Sequence, residues 1–467
     1  MSHIICVFCL LLFSTVSDGP FFASGIKVGE ATQTTAIVWV RLTKNEAADF
    51  SQLPIFTEGL PVGEQSSIEM PDDVVPGTSG QVQMEYWIDG DDVLRRLTDW
   101  VQVTEVADFT HQFRLASLQP GSLYRYQVNA RASADAANSA SITGSFRTAL
   151  GASVSAPVKF IVTTCQAVRS VDAGQDGHVA YQQMLESDPD FFVHTGDIVY
   201  YDKAPLARSA SQARAKWHLM FAYGHQRNFH RFTTSYFMKD DHDTLKNDCW
   251  PGQRYGDLTF AQGCEIFREQ VCMSDSTYRT IRWGRDVQVW FTENRDFRSS
   301  NQDPDGPDKT ILGQQQKDWL LTTMAESDAT FRFIISPGPI VGPDKRGKAD
   351  NHSNAAFTHE GQQLRDFIAT QPNTYVICGD RHWQYCSEDP VTGVVELGCG
   401  PVNDQHNFGG NPGRDASFHR YFSDKGGFLV VSVDGDQATA EWVHSGEIDR
   451  ETGTPRVLHT ERFSRGR

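Results

Sequence analysis

The sequence predicts an α/β protein with an all-β domain in front of it, and two observations carry this prediction. Residues 22–148 show only strand-type patterns, in short runs separated by turn residues. After a linker-like stretch at residues 151–157, apolar β-branched runs alternate with helix-like stretches, and each run ends in a polar cluster. The first pattern favours a β-sandwich of about a hundred residues, of the immunoglobulin or fibronectin type III kind. The second pattern favours a sheet covered by helices.

The front domain is predicted at residues 20–149. Residues 122–130 alternate with period two, directly after the turn Pro120-Gly121. Further strand-like runs lie at residues 35–42, 84–88 and 109–115. Short strands joined by turns are typical of a sandwich.

The second domain is predicted at residues 157–445, followed by a C-terminal tail at 446–467. Its strand-like runs lie at residues 158–164, 191–193, 235–238, 287–291 and 374–378. Helix-like stretches lie at residues 178–186, 313–326 and 360–369. In open α/β sheets, sites form beyond the carboxyl ends of the strands. The side chains expected there are Cys165, Asp197, Tyr200, Asp241, His242, Asp380 and His382.

The composition bounds the function. There are 42 Lys and Arg against 59 Asp and Glu, a formal net charge of −17, which disfavours nonspecific nucleic-acid binding because that needs a basic surface. A hydrophobic content of 39% with 22% charged residues argues against wholesale disorder. A phosphorylated substrate is still compatible, because a bound metal reverses the local sign of charge.

The first 19 residues resemble a secretory signal peptide. An apolar run at residues 4–13 is too short to span a bilayer, and small residues follow it. The alternative is a buried strand at the start of the first domain, because no Lys or Arg precedes the run. We expect an exported protein, periplasmic or extracellular, without a transmembrane segment.

The strand-end residues are of the types that bind transition metals. Thiolate, carboxylate, phenolate and imidazole groups serve as ligands, and several carboxylates in one crevice need cations to offset their repulsion. Asp197, directly after a strand, is placed to bridge two metals. Each residue alone has an ordinary alternative: a turn or helix cap for the aspartates, and a small buried residue for Cys165.

Five motifs in order resemble the PhoD-like alkaline phosphatase family of the calcineurin-like metallophosphatase superfamily. Residues 312–320 resemble the helix of that family before its next core strand, and residues 23–42 and 146–149 resemble its N-terminal β-domain. The motifs are Cys165-Gln166, Gly196-Asp197-Ile198-Val199-Tyr200-Tyr201-Asp202, Asp240-Asp241-His242-Asp243, Glu293-Asn294-Arg295-Asp296-Phe297-Arg298 and Gly379-Asp380-Arg381-His382-Trp383.

The resemblance implies a four-layer αββα core with a metal centre at the strand ends. By position, the ligands of a ferric ion would be Cys165, Asp197, Tyr200 and His382. Asp197 would bridge to a second site completed by Asp241 and Asp380, whose oxygens favour calcium. Manganese and zinc are the alternative metals.

The resemblance also implies catalysis by attack of metal-bound hydroxide on phosphorus. His242, with the adjacent Asp241, is then the catalytic candidate, binding phosphate or protonating the leaving alcohol. Arg295 and Arg381 are candidate phosphate contacts, with loop-holding salt bridges as the alternative.

The sequence departs from the family in two places that bear on function. The twin-arginine signal of many exported members is absent from the N-terminus. The usual Trp-Asp-Gly-Tyr stretch is replaced by residues 351–357, a loop expected to overhang the site. Asn354 or His352 could contribute a ligand there, and a simple turn is the alternative.

The nine cysteines are explained by the same assignments. Cys6 and Cys9 leave with the signal, and Cys165 goes to metal, so six remain. We expect at least one disulfide among Cys249, Cys264 and Cys272, which lie in a turn-rich insertion.

The function predicted is metal-dependent hydrolysis of phosphomonoesters, phosphodiesters or both, with an alkaline optimum. A phospholipase D-like phosphodiesterase is the alternative within the class. A noncatalytic extracellular metal-containing binding protein and a thiol hydrolase using Cys165 are the alternatives outside it. The expected substrate is a small-molecule or lipid phosphate ester.

Overall fold

The computed structural model describes residues 19–53, 67–91, 93–345, 347–406 and 414–466. Apart from Gly19, the predicted signal peptide lies outside the described residues. In the described part of the chain, no helix combines the length and the apolar character that crossing a bilayer requires.

The described front region forms strands only, apart from short single turns of 3₁₀ helix. Its strands follow the predicted runs, with ends that shift by a few residues. They are β1 Ile26–Gly29, β2 Ala36–Arg41, β3 Gly80–Ile88, β4 Arg96–Leu97, β5 Val101–Val103, β6 Thr110–Leu115, β7 Leu123–Arg131 and β8 Asn138–Arg147.

These strands divide between two sheets that enclose one apolar core. Strands β3, β4, β5, β7 and β8 form a five-stranded antiparallel sheet, whereas β1, β2 and β6 belong to a different, larger sheet. Side chains such as Val38 from β2 and Tyr126 from β7 are buried in the core between them. The alternating burial of β7 is the period-two pattern of its sequence, with every second side chain facing that core.

The second part of the chain alternates strands and helices as predicted. Its strands are β9 Val158–Thr163, β10 Phe191–His194, β11 Ser235–Phe237, β12 Arg254–Tyr255, β13 Leu258–Thr259, β14 Arg279–Trp283, β15 Val287–Phe291, β16 Phe331–Ser336, β17 Thr374–Cys378, β18 Gln384–Glu388, β19 Val395–Cys399, β20 His419–Ser423, β21 Gly427–Asp434, β22 Gln437–Ile448 and β23 Pro455–Ser464. Its helices are α1 Val179–Glu186, α2 Ala210–Ala222, α3 Gly224–His230, α4 Asp241–Thr244, α5 Phe260–Gln270, α6 Gly313–Ala325 and α7 Thr358–Ala369.

Two mixed sheets pack face to face to make the core. The nine-stranded sheet runs β23-β22-β21-β9-β10-β11-β1-β2-β6, and the seven-stranded sheet runs β14-β15-β16-β17-β19-β18-β20. Phe160 of the first sheet meets Phe333 of the second edge to face, with ring centroids 5.3 Å apart. The central strands β9, β10, β16 and β17 are buried on both faces, as their continuous apolar runs require.

Helices cover the outer faces of both sheets. Tyr181 and Met184 of α1 pack against Phe192 of the nine-stranded sheet. Leu320 of α6 and Leu364 of α7 pack in a cluster with strand residues of the seven-stranded sheet. The resulting order of helix, sheet, sheet and helix confirms the predicted four-layer core.

The front strands join the large sheet through one close contact. Gly29 of β1 pairs in parallel with Ser235 of β11. A Cβ atom at Gly29 would lie 2.1 Å from the Ser235 carbonyl oxygen, so only glycine permits this approach. Next to it, the buried pair Glu30 and Arg279 ties the front strands to the seven-stranded sheet. The sequence does not reveal this junction because the two partners lie about two hundred residues apart.

The C-terminal residues predicted as a tail are instead part of the sheet. Strand β23 pairs antiparallel with β22 along nearly its whole length and forms the edge of the nine-stranded sheet. Most of its side chains are polar and only Phe463 is buried, so hydrophobicity alone does not mark it as a strand.

The predicted disulfide is wrong. All seven cysteines in the described residues are buried free thiols. Cys249 contacts the Asp241 carbonyl, Cys264 contacts the Asp296 carboxylate and Cys272 contacts the Lys27 carbonyl, so the three face different parts of the fold. Cys264 lies within helix α5, whereas Cys249 precedes the helix and Cys272 follows it.

Candidate active site

The predicted site residues lie just past the ends of strands that run side by side. Strands β9, β10 and β11 are parallel neighbours, so the loops that hold Cys165, Asp197 and Asp241 leave from one edge of the sheet. Asp380 and His382 follow β17 of the facing sheet. Packing of the two sheets therefore brings four separate loops together at one end of the core.

Four of these residues have a strained backbone. The φ angles are 48° at Cys165, 57° at Asp197, 62° at Asp380 and 57° at His382, all in the left-handed region. A non-glycine residue in that region costs roughly 1–2 kcal/mol. Such strain persists where the surrounding fold imposes it, and it concentrates at functional sites. The strained backbone conformations position the side chains of Cys165, Asp197 and His382 so that their ligand atoms lie together.

A glycine permits the close packing of two of these loops. Gly196 has φ 120°, and a Cβ atom there would lie 2.7 Å from the backbone nitrogen of Asp240. The turn before Asp197 therefore rests directly on the turn before Asp241. Any side chain at position 196 would separate the two carboxylates.

The first group of side chains brings together the four residues predicted to hold one metal. Ligand atoms of Cys165, Asp197 and His382 all lie within 4.8 Å of one another. The Tyr200 hydroxyl lies 3.0 Å from Asp197 Oδ2 and 3.3 Å from His382 Nε2. Thiol, carboxylate, phenol and imidazole thus converge on one point, although they come from three loops.

The second group consists of Asp197, Asp241 and His242, whose ligand atoms also lie within 4.8 Å of one another. His242 is buried, and its ring packs on that of Tyr200 with centroids 4.2 Å apart. Burial opposes a charge on His242, but the carboxylates of Asp241 and Asp197 outweigh it and raise its pKa to about 10. Asp202, to which the sequence motif alone assigns no role, lies 2.6 Å from His242 Nδ1.

Asp380 belongs to a separate carboxylate group. Its ligand oxygens group with Asp344 and Asp350, not with Asp197 and Asp241. The ammonium of Lys348 lies 3.2 Å from Asp350 and 3.9 Å from Asp380. Burial opposes the charge of Lys348, and the surrounding carboxylates, Asp380 first among them, raise its pKa. Asp350 also groups with Asp241 and Asp248, so the two expected ligands Asp241 and Asp380 are connected through Asp350.

The two candidate phosphate-binding arginines are buried away from the cavity lining. Arg295 is buried and pairs with Asp240 and Asp350. Arg381 is buried, pairs with Asp344 at 3.0 Å and stacks over Trp383. Neither lines the cavity described below, so the geometry favours the loop-holding alternative for both.

The loop at residues 351–357 does not overhang the site in the described structure. Asn354 donates a hydrogen bond to the side chain of Asn351 at 3.0 Å, which is the turn alternative. His352 is buried against Glu360 of α7 at 3.0 Å. Two lysines from the segment just before this loop, Lys345 and Lys348, do line the cavity.

A cavity of about 690 Å³ opens at the strand ends. Of the predicted residues, it is lined by Asp197, Tyr200, His242, Asp380 and His382, whereas Cys165 and Asp241 are buried behind it. Four cationic side chains also line it, namely Arg169, Lys203, Lys345 and Lys348. The acidic surface of the chain therefore gives way to a mixed-charge cavity at this point.

His406 is a further cavity residue that the sequence motifs do not include. Its Nε2 lies 2.8 Å from the Tyr200 hydroxyl, and its carbonyl accepts a hydrogen bond from His382 Nδ1 at 2.7 Å. It comes from a short 3₁₀ turn after β19, 206 residues along the chain from Tyr200. No local pattern in the sequence distinguishes this histidine from a surface residue.

The donor set fits one or more metal ions. Asp197 Oδ1 is buried and has no hydrogen-bond partner among the described residues. Burial raises the pKa of Asp197, and Asp241 adds to the rise; burial also raises the pKa of the Cys165 thiol. Without a cation these groups favour their neutral forms, so a bound cation would offset the cost of their charge.

Comparison with protein-family models gives two matches that together span most of the chain. Residues 160–442 match the model described as PhoD-like phosphatase. Residues 13–150 match the model described as PhoD-like phosphatase, N-terminal domain. A comparison with curated proteins gives no match.

Solved structures with a similar fold include two phosphatases. One is described as the structure of PhoD, with 16% identity and a TM-score of 0.72, covering 96% of this chain and 91% of that chain. Another is purple acid phosphatase PPD1 from yellow lupin (Lupinus luteus) seeds, with 10% identity and a TM-score of 0.65, covering 94% of this chain and 74% of that chain. At these identities the likeness shows the fold alone.

Proposed function

Since the chain belongs to the PhoD-like phosphatase family and is a metal-dependent phosphate ester hydrolase, we propose that it hydrolyses small, water-soluble phosphate esters in the cavity between Tyr200 and Asp380. The observation that carries this proposal is the cavity itself. It brings candidate metal ligands, a buried histidine and several cations to one opening.

In this proposal the first metal, iron(III), is held by Cys165, Asp197, Tyr200 and His382. Phenolate and thiolate ligands suit a trivalent, Lewis-acidic ion. Bound ions there would offset negative charge on the phosphoryl oxygens and activate the attacking water. Calcium is the proposed second ion, held by the hard oxygens of Asp197 and Asp241 with Asp380 nearby.

His242 is the proposed general acid. Its Nδ1 hydrogen-bonds to Asp202 at 2.6 Å, which leaves Nε2 to donate a proton to the leaving alcohol. The hydrogen bond to Asp202 and the charge of that carboxylate favour the protonated ring. In this proposal Asp241 acts on the reaction through metal binding.

The cations around the cavity explain how an acidic protein binds an anionic ester. Arg169 and Lys203 line the same opening as Lys345, while the chain as a whole carries a formal charge of −17. Positive charge concentrated in a cleft attracts an anion locally and raises its association rate. Both monoesters and diesters carry the charge that this arrangement recognises.

The cavity lining favours a soluble substrate over a phospholipid. The aliphatic side chains that line it are those of Ala167 and Ala204, and the rest are polar, charged or aromatic residues with polar tips. Acyl chains would meet no leucine, isoleucine or valine side chain among the described lining residues. A phospholipase D-like activity is therefore the second candidate.

We also propose that the protein is exported, with the segment at residues 1–19 acting as its signal peptide.

Three substrates and one metal measurement test the proposal. Protein purified without chelator should contain iron and calcium by elemental analysis, and it should cleave p-nitrophenyl phosphate or its bis ester faster than phosphatidylcholine. His242→Ala should lower kcat, while His225→Ala, in helix α3 outside the cavity, should not. Zinc alone would contradict the metal assignment, faster cleavage of phosphatidylcholine would favour the second candidate, and unchanged turnover in His242→Ala would contradict the role of that histidine.

A further inference from the structure

His406 touches two proposed ligands of the same metal with two different groups. Its ring nitrogen Nε2 lies 2.8 Å from the Tyr200 hydroxyl. Its main-chain carbonyl accepts a hydrogen bond from Nδ1 of His382 at 2.7 Å, which leaves His382 Nε2 directed to the same point. A single residue thus contacts both ligands on the cavity side of the centre.

The ring of His406 is itself held in place. Ser170 lies 3.1 Å from its Nδ1, and the hydroxyl can donate to that nitrogen. The other ring nitrogen then carries the proton and donates to the oxygen of Tyr200. The ring also packs on Tyr200 and on His382, with centroids 4.8 Å and 4.6 Å away. These contacts fix both the position of the ring and the direction of its hydrogen bond.

A hydrogen bond to a ligand oxygen changes how strongly that ligand donates to its metal. A phenolate that accepts a hydrogen bond keeps more of its charge on the oxygen lone pair and transfers less to the ion. Tyr200 also lies 3.0 Å from Asp197 Oδ2, so its oxygen is placed between a carboxylate and an N–H donor. Removing the donor leaves the carboxylate alone to act on that oxygen.

We propose that His406 is a positioning residue that donates a hydrogen bond to the phenolate oxygen of Tyr200 and so sets the electron donation of that ligand to the metal. The proposal rests on the function proposed above, because it needs Tyr200 as a ligand. The side-chain and main-chain contacts of His406 are separable, since a substitution removes the first and leaves the carbonyl that holds His382.

The test compares two substitutions at His406 in full-length protein titrated with iron(III). His406→Phe keeps an aromatic ring and loses the N–H donor, whereas His406→Gln keeps an N–H donor near the position of Nε2. The readout is the visible absorption band that a phenolate bound to iron(III) gives. Iron content and thermal melting are measured on the same samples, and His225→Phe, outside the cavity, is the matched control.

Loss of the hydrogen bond should move the band to longer wavelength by some tens of nanometres in His406→Phe. The band should return close to its original position in His406→Gln and stay unchanged in His225→Phe. Loss of iron from His406→Phe that His406→Gln restores, at equal melting temperature, would also support the proposal. Equal iron loss in both His406 variants would overturn it.

Two results distinguish failure of this inference from failure of the proposed function. A band that keeps its position in iron-loaded His406→Phe overturns the role of His406 and leaves the metal assignment intact. A phenolate band that is missing from the unsubstituted protein, or that survives in Tyr200→Phe, overturns the assignment of Tyr200 and the role of His406 with it.

Discussion

The carboxylate of Asp202 lies 2.6 Å from Nδ1 of His242, and its other oxygen accepts a hydrogen bond from the backbone N–H of Asn247 at 2.9 Å. The hydrogen bond from Asn247 therefore fixes the position of the Asp202 carboxylate independently of the imidazole. A fixed acceptor on one nitrogen sets the tautomer and the orientation of the ring. Asp202 thereby engages Nδ1 of His242 and leaves Nε2 as the nitrogen available for proton transfer.

Asp202→Asn is expected to lower kcat by about 10- to 100-fold, because an amide neither orients nor stabilises a protonated imidazole as a carboxylate does. Iron and calcium content should not change, since Asp202 is not among the grouped ligand atoms. Steady-state kinetics with p-nitrophenyl phosphate measures the effect. Asp275→Asn, at an exposed carboxylate outside the cavity, is the control. Full kcat in Asp202→Asn would exclude this positioning role.

Asp197→Asn should lose both metals, whereas Cys165→Ser should lose mainly iron. Asp197 belongs to both groups of ligand atoms, and Cys165 belongs to one. Elemental analysis after dialysis measures both ions. Cys399→Ser removes a buried thiol that contacts the Cys378 carbonyl outside these groups, and it should keep both metals. Retention of iron and calcium by Asp197→Asn would contradict a bridging role.

Lys348→Met should bind calcium at least about tenfold more tightly than the unsubstituted protein, because it removes a positive charge from the carboxylates that would hold the ion. The Lys348 ammonium lies 2.7 Å from Asp248 and 3.9 Å from Asp380. Titration calorimetry with calcium gives the comparison. Lys425→Met, which removes a surface ion pair with Asp404, is the control. Unchanged or weaker binding in Lys348→Met would show that the lysine supports the site instead of competing with the ion.

Glu360 should make folding stability depend on pH in acid. Burial disfavours its charge, but hydrogen bonds from His352 and Thr310 and the charge of His352 lower its pKa to about 2 from an ordinary value of 4.5. A folded pKa below the unfolded one gives stability that is complete above pH 4.5 and is lost as the pH falls toward 2, amounting to about 3 kcal/mol.

Glu360→Gln should therefore be less stable than the unsubstituted protein at neutral pH, and the difference should shrink between pH 4.5 and 2. Denaturant unfolding at a series of pH values measures this. Glu326→Gln, at an exposed carboxylate directly after α6, should change the unfolding free energy by less than about 0.5 kcal/mol. A difference that does not vary with pH would mean that the charge of Glu360 contributes nothing to stability.

The candidate site was predictable to the extent that it lies at strand ends. Apolar runs such as those before Cys165 and Asp197 identify buried strands, and parallel strands bring their carboxyl ends to one edge. The same reasoning places Asp380 and His382 after β17. The fold class followed from the change of period between the two halves of the chain.

Residues supplied by irregular segments could not be found in this way. His406 and Lys348 reach the cavity from connections without periodicity, and Tyr200, the partner of the His406 ring, lies 206 residues away in sequence. The disulfide prediction failed for a related reason, since the three cysteines lie before, within and after helix α5 and face different parts of the fold. The spacing of residues in the sequence predicts which side chains share a site only where regular secondary structure fixes their relative positions.

Through the parallel pairing of Gly29 with Ser235, the front strands β1, β2 and β6 continue the nine-stranded sheet of the core. Deleting the front region would leave β11 as an open sheet edge and would remove Glu30, the carboxylate partner of Arg279. We therefore expect the second half not to be stable on its own. The two halves should unfold together in a single cooperative transition, and loss of the first half should appear as aggregation of the second.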